Sequence, residues 1–176
     1  MAPMCYSRYF ILLVITSIAL TAWSCSKENP VNVLPDEVAG TYDFSRYEFV
    51  PLAAAIQPAN VLDTLVAANT FLRLTEGGQF LLNYQFLNSP ESIIAGSFTL
   101  DANQIQLQPS PGSEARLASL LLQTPIRFDR VTVPGEIRDG LEMANSQTVD
   151  LNSFSDQYEG LPPVPGVLFI NLIPRN

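Results

Sequence analysis

The sequence predicts an all-β fold: a single antiparallel up-and-down β-barrel of about eight strands, with one or two short helices in the long loops at one end. Three observations predict it. Runs that alternate apolar and polar residues recur through residues 40–173, and period two is the mark of a half-buried strand. Turn-forming residues punctuate these runs. The connections also differ in length in a regular way, so that long ones gather at one end of the sheet and tight ones at the other.

Taken in order, the candidate strands are GTYDFSRYEFV (40–50), NTFLRLT (69–75), QFLLNYQF (79–86), SIIAGSFTL (92–100), QIQLQ (104–108), PIRFDRVTV (125–133), GLEMANSQTV (140–149) and GVLFINLI (166–173). In the third, Phe80, Leu82, Tyr84 and Phe86 share one face, with Asn83 and Gln85 on the other. In the fourth, Ile94, Gly96, Phe98 and Leu100 share a face. The connections at 51–68, 109–124 and 150–165 are long, LNSPE is medium, and EGG, DAN and PGEIRD are short. In an up-and-down sheet odd-numbered connections lie at one end, so the long segments form the rim of a cup. Eight strands that close on themselves leave no exposed edge. They enclose an interior that side chains just fill, or that holds one small ligand. A sandwich or half-barrel plugged by its own Phe and Leu is the alternative. Helical spacing at Leu62, Leu65 and Val66, and at Leu117, Leu120 and Leu121, predicts the short helices over the mouth, as lids or as apolar plugs.

The residues expected to line the interior are Phe80, Leu82, Tyr84, Phe86, Phe98, Phe128 and Arg130. Alternation sets Arg127 and Asp129 on one face, and Phe128 and Arg130 on the other. An inward Arg130 needs a partner or an anionic ligand headgroup; an outward Arg130 past a bulge is the other reading. The first strand starts at the tight-turn end and the eighth ends there. Tyr42 and Arg175 are therefore expected together at the barrel floor, as a cation–π pair. A frayed, solvent-facing Arg175 is the alternative.

The N-terminus carries Arg8, then a charge-free apolar run, Phe10 to Ala22. That order describes a secretory signal peptide, and the run is short for a bilayer span of about 20 residues. Ala22, Trp23 and Ser24 precede Cys25. This stretch resembles the bacterial lipobox, in which a small residue precedes a cysteine. The resemblance implies cleavage before Cys25 and acylation of its sulfur and amine. Several acyl chains make a stable anchor where one is marginal. A plain signal peptide with an incidental cysteine, or an uncleaved anchor, is the other reading. The expected organisation is thus a lipoprotein signal peptide (1–24), a lipid-anchored tether (25–36) and a barrel domain (37–176). The expected location is a bacterial cell envelope, with the outer membrane preferred.

Removing 24 of 176 residues leaves 152, a length that suggests one domain. Loss of Arg8 takes the net charge from -8 to -9. Nucleic acid is not an expected partner, since its binders carry basic patches. Cys5 leaves with the leader, so the mature chain has no disulfide. There is no histidine, which removes Ser-His-Asp and Cys-His catalysis and His-based zinc sites. The Gly77-Gly78 pair sits between strand-like runs and reads as a hairpin turn rather than a phosphate loop.

Val38-Ala39-Gly40-Thr41-Tyr42 opening the first strand is similar to the lipocalin Gly-x-Trp, with Tyr42 in the Trp place. The turns at Gly77-Gly78 and Asp101-Ala102-Asn103 and the closing VPGVLFINLIPRN fit the same pattern. On these residues the chain resembles a bacterial lipocalin-like (calycin-type) lipoprotein over roughly residues 37–176. The resemblance implies an antiparallel barrel that often binds a small apolar molecule, with no cofactor and no shared catalytic residues. It also implies an aromatic on the first strand that seals the floor beneath an arginine near the last.

Asp150, Asn152, Asp156 and Glu159 gather oxygens in one loop, but Phe154 and Ser155 stand where a calcium loop needs a ligand and a glycine. A solvated acidic loop is expected there. No enzyme activity, metal or cofactor is expected. Two functions remain: a lipid-anchored barrel binding a small apolar ligand in its calyx, or a structural or interaction lipoprotein with a plugged barrel that contacts an envelope protein.

Overall fold

The computed structural model describes residues 34–101 and 103–175. Nine strands form one antiparallel sheet: β1 (Gly40–Pro51), β2 (Ala59–Asn60), β3 (Phe71–Leu74), β4 (Gln79–Tyr84), β5 (Ser92–Asp101), β6 (Gln104–Pro109), β7 (Ile126–Val131), β8 (Gly140–Val149) and β9 (Val164–Pro174). From β3 to β9 each strand pairs with the next, β1 pairs with β3, and β1 also pairs with β9. That last ladder closes the barrel, running from Tyr42↔Pro174 to Pro51↔Gly166. The expected eight-stranded up-and-down barrel is therefore the observed one.

β2 is an addition that alternation did not reveal, because a two-residue strand has no period. It covers β1 at Glu48 and Phe49, where β3, paired only with Gly40–Asp43, no longer reaches.

The strands form where polarity alternates. Along β9, Val164, Gly166, Leu168, Ile170, Leu172 and Pro174 are buried, while the residues between them are exposed or half-buried. β1 shows how a pattern break is absorbed. Its aromatics stand at 42 and 44, then at 47 and 49, a slip from even to odd positions. The register shifts by one between Phe44 and Arg46. This bulge leaves Ser45 outside the ladder and returns Tyr47 and Phe49 to the interior. The Ser45 hydroxyl then donates to the Asn171 carbonyl at 3.2 Å.

Two glycines admit aromatic rings where the wall is tight. A Cβ on Gly96 would overlap the Gln108 carbonyl and the Phe80 ring. One on Gly166 would overlap the Phe49 ring and the Val50 carbonyl. Glycine within a strand often marks such a close approach.

The barrel has two unlike ends. The floor holds the 75–78 turn, the β5–β6 turn, the 132–139 loop, the start of β1 and the end of β9. The mouth holds the long segments 52–70, 85–91, 110–125 and 150–163. Of the two expected helices only α1 (Glu114–Ser119) is α-helical. The Leu62–Val66 segment forms a 3-10 turn, Leu62–Thr64, and a second follows at Ala67–Asn69. The physical reason is tethering: the Val61 amide donates to the Tyr47 carbonyl at 2.9 Å and the Val66 amide to the Gln85 carbonyl at 2.8 Å. So short a span, pinned at both ends, cannot run as a straight helix.

Candidate functional site: the barrel interior and its two ends

Phe80, Leu82, Tyr84, Phe98 and Phe128 all point inward and are buried. Phe86 falls past the end of β4, half-buried, in an isolated bridge with Leu65. Its ring meets Tyr84 edge-on, with centroids 5.6 Å apart. Of these, Phe80, Leu82 and Phe128, together with Leu72, Ile94, Leu107 and Ile126, line a free volume of about 10 Å³ at the barrel centre. That is at most the room of a single water, which needs ~10–15 Å³ on this measure. A drug-sized ligand needs ~300–1,000 Å³.

The mouth is stoppered from within by residues 110–125. Leu117, Leu120, Leu121 and Leu122 are all buried. Two buried hydrogen bonds hold the stopper: the Tyr47 hydroxyl donates to the Leu120 carbonyl at 2.6 Å, and the Gln147 amide donates to the Leu121 carbonyl at 2.6 Å. The Gln123 side chain also donates to the Thr148 carbonyl at 3.0 Å. Burial pushes the Tyr47 phenol well above its ordinary pKa, so at neutral pH it is a donor. Leu121 has φ 55°. A left-handed leucine is uncommon and costly, and the surrounding bonds hold it there.

At the floor the Tyr42 hydroxyl donates to the Val38 carbonyl at 2.7 Å. Arg130 does point inward, at the floor rather than among the side chains at the barrel centre. It meets Asp139 at 3.1 Å and Glu37 at 3.7 Å. Its buried Nε has no hydrogen-bond partner. Arg138 reaches back to donate to the Ala39 carbonyl at 2.8 Å. Burial raises the Tyr42 pKa, and the positive charges of Arg138 and Arg130 oppose the rise.

Arg175 lies beside Tyr42 along the wall, since Tyr42 pairs with Pro174 and the Arg175 amide donates to the Thr41 carbonyl at 2.8 Å. Its guanidinium does not join Tyr42. It forms an ion pair with Asp43, through Nε at 2.9 and 3.0 Å as well as through Nη2. It also lies 4.9 Å from the Phe71 ring centroid. Parity is the reason: even positions of β9 face inward, which leaves Arg175 outside, while Tyr42 is inside. The arginines at the floor are Arg130 and Arg138.

Cys25 lies outside the described residues. Among the described residues no group of three or more Asp, Glu, His or Cys is placed to hold a metal ion. In the acidic loop Asp150 accepts from the Asn152 backbone at 3.0 Å and from its side chain at 2.6 Å. These bonds lower the Asp150 pKa. The Asn152 amide also donates to the Leu161 carbonyl at 2.7 Å. The loop's polar groups thus serve the loop.

The wall has one thin place. β7 and β8 pair only at Asp129↔Glu142, Arg130↔Leu141 and Val131↔Gly140. Beyond these a groove of about 410 Å³ opens outside the barrel, lined by Gln104, Gln123, Arg127, Asp129 and Asn145 among others. Within it Gln104 donates to Asp129 at 2.9 Å, and Arg127 donates to the neighbouring Gln106 at 3.0 Å.

Three residues that matter here escaped sequence reading: Tyr47, Gln147 and Arg138. Gln147 carried a signal. It shares the parity of Leu141, Met143 and Val149, and a polar residue on an apolar face needs a partner.

The class these features define is a closed eight-stranded antiparallel barrel with a filled interior, stoppered at one end and sealed by an arginine–tyrosine cluster at the other. No protein-family model matches the chain, and no curated protein matches it significantly in sequence.

Proposed function

We propose that this chain is a lipid-anchored protein of a bacterial cell envelope whose barrel is a packed scaffold that presents its mouth loops to a protein partner. One observation carries the choice over a ligand-binding calyx: the barrel centre keeps about 10 Å³ free. A calyx ligand would have to expel the 110–125 stopper and break two buried hydrogen bonds to do so. The mouth loops expose Leu52 and Leu87, at 72% and 56% relative accessibility. This reading assigns both side chains to the partner contact. Anchoring is supported by the charge–apolar–small order before Cys25. The outer membrane is the preferred location within this reading, which assigns the chain no reaction.

Native mass spectrometry of the protein released in mild detergent tests this choice. The expected spectrum holds the acylated chain with no small molecule bound. A stoichiometric apolar molecule, lost only on unfolding, would restore the calyx reading.

A further inference from the structure

We propose that the floor of the barrel seats on the bilayer surface, with Ile137 entering the boundary between headgroups and acyl chains. This rests on the anchoring reading above. Ile137 is fully exposed, at 104% relative accessibility. Its loop is braced on both sides of it. The Glu136 amide closes a turn onto the Val133 carbonyl at 3.1 Å, and Arg138 is fixed to the Ala39 carbonyl. The isoleucine is thus held out in solvent by a turn before it and an anchored arginine after it. A single exposed apolar residue is ordinary on a protein surface; its place is what distinguishes this one.

Leu34, 51% exposed, and Ile173, 42% exposed, lie at the same end. Leu34 is also where the segment that begins at Cys25 reaches the domain. Nine residue steps span at most about 30 Å. β1 has 12 residues, and a tilted strand of that length makes a wall about 30 Å tall. The mouth could reach the bilayer only with the tether drawn out along the barrel. The floor is within reach at every extension. Tethering gives the floor an effective concentration at the surface of order mM, so a few apolar side chains suffice where a free protein would need a larger face. Asp36, Glu37, Glu136 and Asp139 outnumber Arg130 and Arg138 at the same end, which makes a zwitterionic surface the fitting one, since anionic headgroups attract basic segments.

The test uses the processed, acylated chain in vesicles of phosphatidylcholine and phosphatidylethanolamine. The chain's one tryptophan, Trp23, belongs to the leader, so Ile137→Trp and Leu52→Trp each place a single reporter in the mature chain. Side chains at this boundary sit ~5–10 Å deep, within reach of brominated acyl chains. The expected result is a blue-shifted emission that loses most of its intensity for Ile137→Trp, and a water-like, unquenched emission for Leu52→Trp. Water-like emission from Ile137→Trp in a chain whose mass includes the acyl groups would overturn the seating and leave the anchor standing. Quenching at Leu52→Trp instead would invert the orientation and overturn it equally. A mass without acyl groups would remove the anchoring reading, and this inference with it.

Discussion

Tyr47→Phe removes one oxygen from the hydrogen bond that ties the stopper to the wall. Tyr47 is 1% exposed, and so is Leu120, whose carbonyl it serves. The ring stays, so packing is kept and only the bond is lost. Leaving a buried acceptor unsatisfied costs ~1–3 kcal/mol. At ~2–4 °C per kcal/mol for a domain of this size, the midpoint of thermal unfolding should fall by roughly 2–12 °C. Gln147→Leu should act alike through Leu121. Since the two carbonyls are adjacent, the double variant should depart from additivity. Circular dichroism melts of the two single variants and the double variant measure this. Uptake of an apolar dye reads the stopper itself, because dye binding reports exposed apolar surface. Tyr158→Phe is the control. Its hydroxyl bonds Gln57 only at 3.2 Å and part-buried, and its effect should stay near ~0.5 kcal/mol. An unchanged melt and no dye uptake in the Tyr47→Phe, Gln147→Leu double variant would refute the claim that these bonds hold the mouth shut.

Other outcomes follow from the same geometry. Gly166→Ala should destabilise by ~1–3 kcal/mol, because the new methyl meets the Phe49 ring and the Val50 carbonyl; denaturant titration reads it. Arg175→Ala should cost under ~1 kcal/mol, because its pair with Asp43 is over a third exposed on both sides. The phenols of Tyr42 and Tyr47 sit above their ordinary pKa. Above about pH 10 the unfolded chain loses those protons first, so stability is full below that pH and falls as pH rises. Tyr47→Phe should flatten that fall in alkaline melts. Cys25→Ser should abolish incorporation of radioactive palmitate and leave the precursor at full length.

Much of the barrel was legible because its strands are amphipathic with period two. All eight candidate strands are present, with ends shifted by a few residues. The 69–75 run shortens to β3 because Asn69 and Thr70 belong to a turn that folds over β4. There the Asn83 amide donates to the Asn69 carbonyl at 2.6 Å, so a polar, outward residue is buried. Polarity gives no hint of such a cover. The floor was half legible. Alternation placed Arg130 with Phe128, and the same rule applied to β9 would have turned Arg175 outward. What alternation cannot give is Arg138, which reaches the floor from a loop. The filled interior was also beyond reading, because Phe and Leu on a concave face line a cavity or fill it according to their rotamers.

The central claim is that the barrel interior is full. Methyl NMR of the folded chain under xenon pressure tests it most directly, since xenon enters dry apolar cavities. With about 10 Å³ free among them, the methyls of Leu72, Leu82, Ile94 and Leu107 should keep their chemical shifts at every pressure. Saturable shifts at those methyls, absent at the exposed Leu52, would reveal a cavity and contradict the account.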